Sequence, residues 1–396
     1  MIARLVDTRT RTRAAAALAA LILTAAAPVH ASFVDAIPSG GVLRPLRTQL
    51  TSALAAVAPA LPFIGASSGF VYHFDVETGT FRRESAIFGQ LFLERADPIG
   101  RHKTSVALSY LHFDLESFEG KDLDRLSDRA PSQICFRGDC TTFVIPSFSL
   151  SLETHDVTAS ATYGVTDDLD VNVTVPLLAS DFRVRAAATI IPDPPLPRHP
   201  VRPLSASDSA VGIGDVLLRS KYRLSAASWA HTAFGLVLRV PSGNEDDFQG
   251  VGHVEVAPIF YASRDALLVR RVKLQAHGNA GVNVNTDDVD HSEGRWGLGL
   301  DCAVAERVSA AVAFLGRHPF SRIGRPGAFD VRRLDGPPAP LFGFRGRRVD
   351  YYDFSAGARI DLWRQRALGF AGALIPLSKD GFRSAPIPVV GIEAIF

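Results

Sequence analysis

The chain has 396 residues, with 42 Lys and Arg against 41 Asp and Glu and a formal net charge of +1. So even a balance offers no basic surface for nucleic acid. The length allows two ordinary soluble domains or one large barrel, and no apolar run beyond residue 31 reaches the ~20 residues a membrane helix needs.

The first elements belong to export. Arg4, Arg9, Arg11 and Arg13 form a basic head, an Ala- and Leu-rich run covers 14–27, and Val29-His30-Ala31 supplies a small-x-small cleavage pattern. Residues 1–31 therefore read as a signal peptide, with Ser32 as the mature start. Residues 32–66 form an N-terminal segment. Within it Leu43, Leu46, Leu50, Leu54 and Val57 recur at helical spacing, with Pro45 near the start. This predicts an amphipathic helix over 42–58, either plugging a lumen or lying in the periplasm.

From 67 to 396 the period changes to two. Over 271–285 the even positions carry Val272, Leu274, Ala276, Ala280, Val282 and Val284, and the odd ones Lys273, Gln275, His277, Asn279 and Asn283. Side chains alternate across a strand, so one face is apolar and the other polar. Strands are predicted near 68–76, 80–94, 101–115, 143–164, 169–186, 211–225, 229–241, 252–263, 271–286, 294–305, 307–318, 350–363, 367–378 and 385–396. That makes about fourteen, or twelve if the first pair is an appendage. From the third strand onward, long and short connections alternate. This is the loop sorting of an up-and-down outer-membrane barrel with both termini in the periplasm. The predicted fold is all-β: a closed antiparallel transmembrane barrel at 67–396. Phe396 ends the last apolar face and reads as an insertion signal for the barrel-assembly machinery.

On this reading the polar faces line the lumen. Arg219, Lys221, Arg223, Arg239, Lys273, His277, Arg295 and Arg359 point inward, faced by Asp301, Asp353 and further carboxylates including Asp215, Glu255, Asp361 and Glu393. They either set an anion-favouring field or pair across strands and fill the barrel. Cys135 and Cys140 flank Gly138-Asp139 and read as a small loop disulfide, while Cys302 sits alone in an apolar alternation. The Pro-rich stretch 191–203 reads as an external loop. Residues 244–247 and Asp287, Asp288 and Asp290 do not match a calcium loop, and no metal or cofactor is expected. No Gly-x-Ser-x-Gly occurs, and no Ser, His and carboxylate stand together at local spacing, so an outer-membrane hydrolase is the rival reading rather than the main one.

Three segments carry a resemblance. They are Tyr163-Gly-Val-Thr-Asp-Asp-Leu169 running into Val175-Pro-Leu177, then Gly212-Ile-Gly-Asp-Val216 with Lys221-Tyr222, then Val240-Pro-Ser-Gly243. In order and spacing they resemble a bacterial family of outer-membrane barrels labelled for the meta-pathway of phenol degradation. The resemblance implies an architecture akin to fatty-acid-type transporters of hydrophobic compounds, and no catalytic residues. The expected partners are outer-membrane lipid, the barrel-assembly machinery and a small-molecule solute. The expected role is passive uptake, with hydrophobic or aromatic solutes following from the resemblance and small anions from the lumen charge. A structural barrel with a closed lumen is the alternative.

Overall fold

A strand that alternates apolar and polar side chains has to separate two media, and in lipid every backbone N–H and C=O must find a partner. The computed structural model meets both demands by closing the sheet on itself. It describes residues 33, 72–75, 80–83, 91–118, 120–136, 139–191, 199–227, 230–269, 272–305, 307–320, 331–333, 349–363 and 366–396. The signal peptide and the helix expected at 42–58 lie outside these residues.

The wall consists of twelve antiparallel strands. They are β1 (Thr104–Phe118), β2 (Asp139–Gly164), β3 (Leu169–Ile191), β4 (Val216–Ala227), β5 (Ala230–Val240), β6 (Glu255–Val269), β7 (Val272–Asn285), β8 (Glu293–Ala305), β9 (Val308–Pro319), β10 (Tyr351–Asp361), β11 (Ala367–Pro376) and β12 (Ile387–Ile395). Each pairs with its neighbour in sequence, and β12 returns to β1 in register from Val389↔Leu111 to Ile395↔Ser105. The last residue completes the seam: the Thr104 N–H donates to the Phe396 carbonyl at 3.1 Å and the Phe396 N–H to the Thr104 carbonyl at 2.9 Å.

The count corrects the expectation of about fourteen in favour of twelve. Tyr72–Asp75 and Thr80–Arg83 form a separate two-stranded sheet, and residues 91–100 contain no strand. The connections expected at 116–142 and 187–210 are not plain loops either. Leu126–Phe136 pairs with the far half of β2, and His199–Ile213 pairs along β3. β2 has 26 residues and β3 has 23. At ~3.3 Å per residue they run to roughly three times the ~25 Å apolar band of such barrels, so they project beyond the bilayer.

The side chains record where that happens. On β1 the outward residues are first Val106, Leu108 and Tyr110, then His112, Asp114 and Glu116, while the inward ones are Ser105 and Ser109, then Leu111, Phe113 and Leu115. β2 inverts in the same way. Thr154, Asp156 and Thr162 face in with Val157 and Tyr163 out, but further along Phe148, Leu150 and Leu152 face in with Ser149, Ser151 and Glu153 out. Lipid outside demands an apolar exterior, and water outside demands a polar one. The switch at Tyr110/Leu111 therefore marks the membrane boundary on the side of the long connections.

The exterior between the two boundaries is a continuous apolar belt. It includes Leu108, Val173, Leu236, Phe260, Leu298, Leu300, Val312, Ile360 and Val390, all exposed. Tyr163, Tyr222, Trp363 and Phe396 stand at the short-turn end, and Tyr110, Trp296 and Tyr352 toward the other. These are the two aromatic girdles of a membrane barrel.

One irregularity positions the site. Ile213 pairs with Leu177, but Leu217 pairs with Thr174, so an extra residue is accommodated at Gly214-Asp215 opposite Pro176. A β-bulge of this kind re-aims a side chain. A Cβ on Gly214 would lie 2.8 Å from the Pro176 ring, which explains the glycine.

Candidate functional site

The bulge turns Asp215 into the barrel. Its carboxylate is fully buried; it accepts the backbone N–H groups of Gly243 at 3.1 Å and Val251 at 2.9 Å and pairs with Arg239 Nε at 3.0 Å. Arg239 extends the chain of charges to Glu255 at 3.1 Å. Ser242 supports the joint, donating its hydroxyl to the Gly214 carbonyl at 2.8 Å and accepting the Val216 N–H at 2.9 Å. The loop 241–254 is thereby drawn inward, with Phe248, Gln249 and Val251 buried. Two segments that carried the family resemblance, Gly212–Val216 and Val240–Gly243, are thus the two halves of one joint. Beside it Phe33 is buried, stacked 5.4 Å from Phe182, and its N–H donates to Asp247 at 3.1 Å.

The second obstruction is residues 91–100, an irregular strap across the lumen nearer the short-turn end. Its backbone is satisfied by strand side chains. The Ala96 N–H donates to Ser263 Oγ at 2.8 Å, the Ile99 N–H to Asp170 at 3.2 Å, and Lys221 Nζ to the Arg95 carbonyl at 3.2 Å. Asn279, with its amide turned to suit, accepts from the Glu94 N–H and donates to the Glu94 carbonyl, each at 2.8 Å. Ion pairs add to these: Lys221 lies 3.8 Å from both Glu94 and Asp170, and His231 lies 2.6 Å from Asp97. Leu91 and Leu93 fit because the wall lacks side chains opposite them. A Cβ on Gly357 or Gly372 would collide with Leu91, and one on Gly297 with Leu93.

Between the strap and the wall lies a cavity of about 240 Å³. Arg219, Arg239, Arg295 and Arg317 line it against Glu94, Glu255 and Asp353, and Leu217, Ile259, Tyr261 and Leu374 supply apolar wall. Arg317 sits 4.2 Å from the centre of the Tyr351 ring. Asp353 is bonded by Arg383, and Arg295 by Glu293.

The sequence-predicted residues divide into groups. Arg219, Arg239, Arg295 and Asp353 reach the cavity. Lys221 holds the strap. Arg223 stays at the short-turn end, 2.7 Å from Asp168. Arg359 is buried against Glu393 at 3.0 Å. The side chain of Lys273 lies outside the described residues, as do those of Cys135 and Cys140, whose backbones stand directly opposite each other. Glu94, Arg317, Arg383 and the strap itself were missed.

His277 and Asp301 belong to an arrangement that local spacing could not reveal. Ser263 Oγ lies 2.9 Å from His277 Nδ1, and His277 Nε2 lies 3.1 Å from Asp301. The three stand on adjacent strands β6, β7 and β8 and are buried. A Ser-His-Asp set suggests a hydrolase, but here the serine oxygen also accepts the Ala96 N–H and is enclosed by the strap. Its observed role is to carry a hydrogen-bond chain from the strap into the wall.

No family model matches the chain, and no curated protein matches it. Solved structures do. The COG4313 outer membrane channel from Pseudomonas putida F1 aligns at 14% identity with a TM-score of 0.44, over 78% of this chain and 100% of that one. A Pseudomonas aeruginosa FadL homologue aligns at 10% identity and a TM-score of 0.32, over 75% and 90%. A TodX mutant, a monoaromatic hydrocarbon channel, aligns at 9% identity and a TM-score of 0.33, over 75% and 89%. With these three scores under 0.5, the reading of this chain rests on its own geometry.

Proposed function

We propose that the chain is an outer-membrane channel for small solutes, closed by the 91–100 strap, and that it favours compounds joining an apolar or aromatic body to an anionic group. The observation that carries this is the cavity against the strap, with four arginines against three carboxylates and an apolar wall. On the long-connection side Leu111, Phe113, Leu150, Phe182 and Phe248 are packed inside the wall, an apolar surrounding that suits an apolar body. The arginines beyond it suit the charge, because ring charges set the field of a pore. The likeness of the three sequence segments to the phenol meta-pathway family supports a hydrophobic or aromatic solute. The register of Cys135 with Cys140 supports a loop disulfide, and the exposed Phe396 at the seam supports its reading as the assembly signal.

The test is the reversal potential of reconstituted protein under a salt gradient, repeated with benzoate and with benzylamine. The expected result is anion preference, reduced several-fold in Arg219→Ala/Arg317→Ala, and faster passage of benzoate. Cation preference in the unaltered protein would overturn the selectivity. Absence of current under every condition, including displacement of the strap, would favour a purely structural barrel.

A further inference from the structure

On the outer face of the wall, just past the lipid boundary, His112 of β1 and His155 of β2 are direct cross-strand partners. Glu153 lies on the same face, two residues before His155. Its Oε1 is 3.7 Å from His112 Nε2 and 3.6 Å from His155 Nε2, and one ligand atom from each of the three residues falls within 4.8 Å of the others. Tyr110 holds the second imidazole in place: its hydroxyl lies 2.8 Å from His155 Nδ1. In the tautomer whose Nδ1–H donates to the Tyr110 oxygen, Nε2 is the ligand atom on the Glu153 side, the arrangement that outer-shell partners impose on metal-bound histidines.

We propose that His112 Nε2, His155 Nε2 and the Glu153 carboxylate bind a divalent transition-metal ion of the zinc class at the external rim of the lipid belt. Two imidazoles and one carboxylate suit zinc and leave one position of a tetrahedron open. Calcium and magnesium prefer oxygen ligands throughout. Bond lengths of ~2.0–2.2 Å around a tetrahedral ion put ligand atoms about 3.4 Å apart, so the two His–Glu distances need close in by only a few tenths of an ångström, and the two imidazole nitrogens, within 4.8 Å of each other, come together by rotation of the partly exposed rings. The surroundings favour a cation. Asp114 stands directly opposite Glu153, and like charges so placed repel unless a positive charge lies between them. The ligands sit on two hydrogen-bonded strands rather than on a loop, so the geometry is held by the wall. The open position faces the headgroup region, where it can take water or an anionic oxygen.

The test uses full-length protein in detergent with no polyhistidine tag, titrated with Zn²⁺ by calorimetry and with Co²⁺ by visible absorption. The expected result is one saturable equivalent per chain, with a cobalt spectrum of tetrahedral type. His112→Ala and His155→Ala should each weaken binding at least tenfold, as should Glu153→Gln. All three side chains are partly exposed, so the variants should fold, and heat-shifted gel mobility verifies that they do. Equal zinc affinity in the unaltered protein and in the His112→Ala/His155→Ala double variant would overturn the proposal, as would the absence of any saturable binding.

Discussion

Replacing Lys221 by Met should convert a nearly silent barrel into a conducting one. Lys221 is buried, 3.8 Å from both Glu94 and Asp170, and it donates to the Arg95 carbonyl. Methionine keeps most of the volume but withdraws the cation that the two carboxylates share. Removing one partner of a buried ion pair costs roughly 3–5 kcal/mol, and each 1.4 kcal/mol is a factor of about ten in an equilibrium. The cost falls only on the closed state, because a strap that leaves the lumen takes Glu94 with it and opens Asp170 to water. The closed-to-open ratio should therefore drop by two to three orders of magnitude. Planar-bilayer recording should show mean current rising by about a hundredfold or more, with no such rise for Arg366→Met on a short turn. Unchanged current from correctly folded Lys221→Met would mean that the strap does not control conduction.

The second large effect concerns lipid. Leu298 and Leu300 on β8 are exposed at 61% and 52%, although they sit within a sheet whose alternate residues, such as Asp301, are buried. In water such a surface would be unstable; in a bilayer it is required. An arginine on the lipid face costs roughly 2–4 kcal/mol at the midplane and about 0–1 kcal/mol near the interface. Leu298→Arg/Leu300→Arg should thus abolish most refolding into lipid vesicles. Val304→Arg, on the same face but near the short turn, should assemble almost normally. The folded fraction on unheated gels measures both.

Much of the fold was legible because the wall follows a local rule. Alternation over residues such as 271–285 and 294–305 needs no knowledge of the partner strand, and loop lengths gave the direction of each hairpin. The strap was not legible, because Leu91-Phe-Leu93 is a short apolar run of the kind a strand also supplies. Only tertiary context shows that it lies inside the barrel, and the anchors Lys221, Ser263 and Asp170 stand 126, 167 and 71 residues from the groups they hold. The inward arginines could be assigned to a face but not to a partner. Arg359 proves to be bonded into the wall, while Arg317 comes to the cavity on a strand whose charges drew no attention. The long connections were misread for a related reason. Beyond the membrane boundary the pattern inverts, so Leu111, Phe113 and Leu115 continue a strand while exchanging which face is apolar. His112 and His155 come together only through the register of β1 with β2.

The account depends on which medium each outward residue meets, and spin labels along the outward face of β1 measure that directly. Labels at 106, 108 and 110 should be relaxed by dissolved oxygen and shielded from a water-soluble nickel chelate, and labels at 112, 114 and 116 should show the reverse. Equal nickel access at all six positions would contradict a lipid-embedded barrel with its boundary at Tyr110.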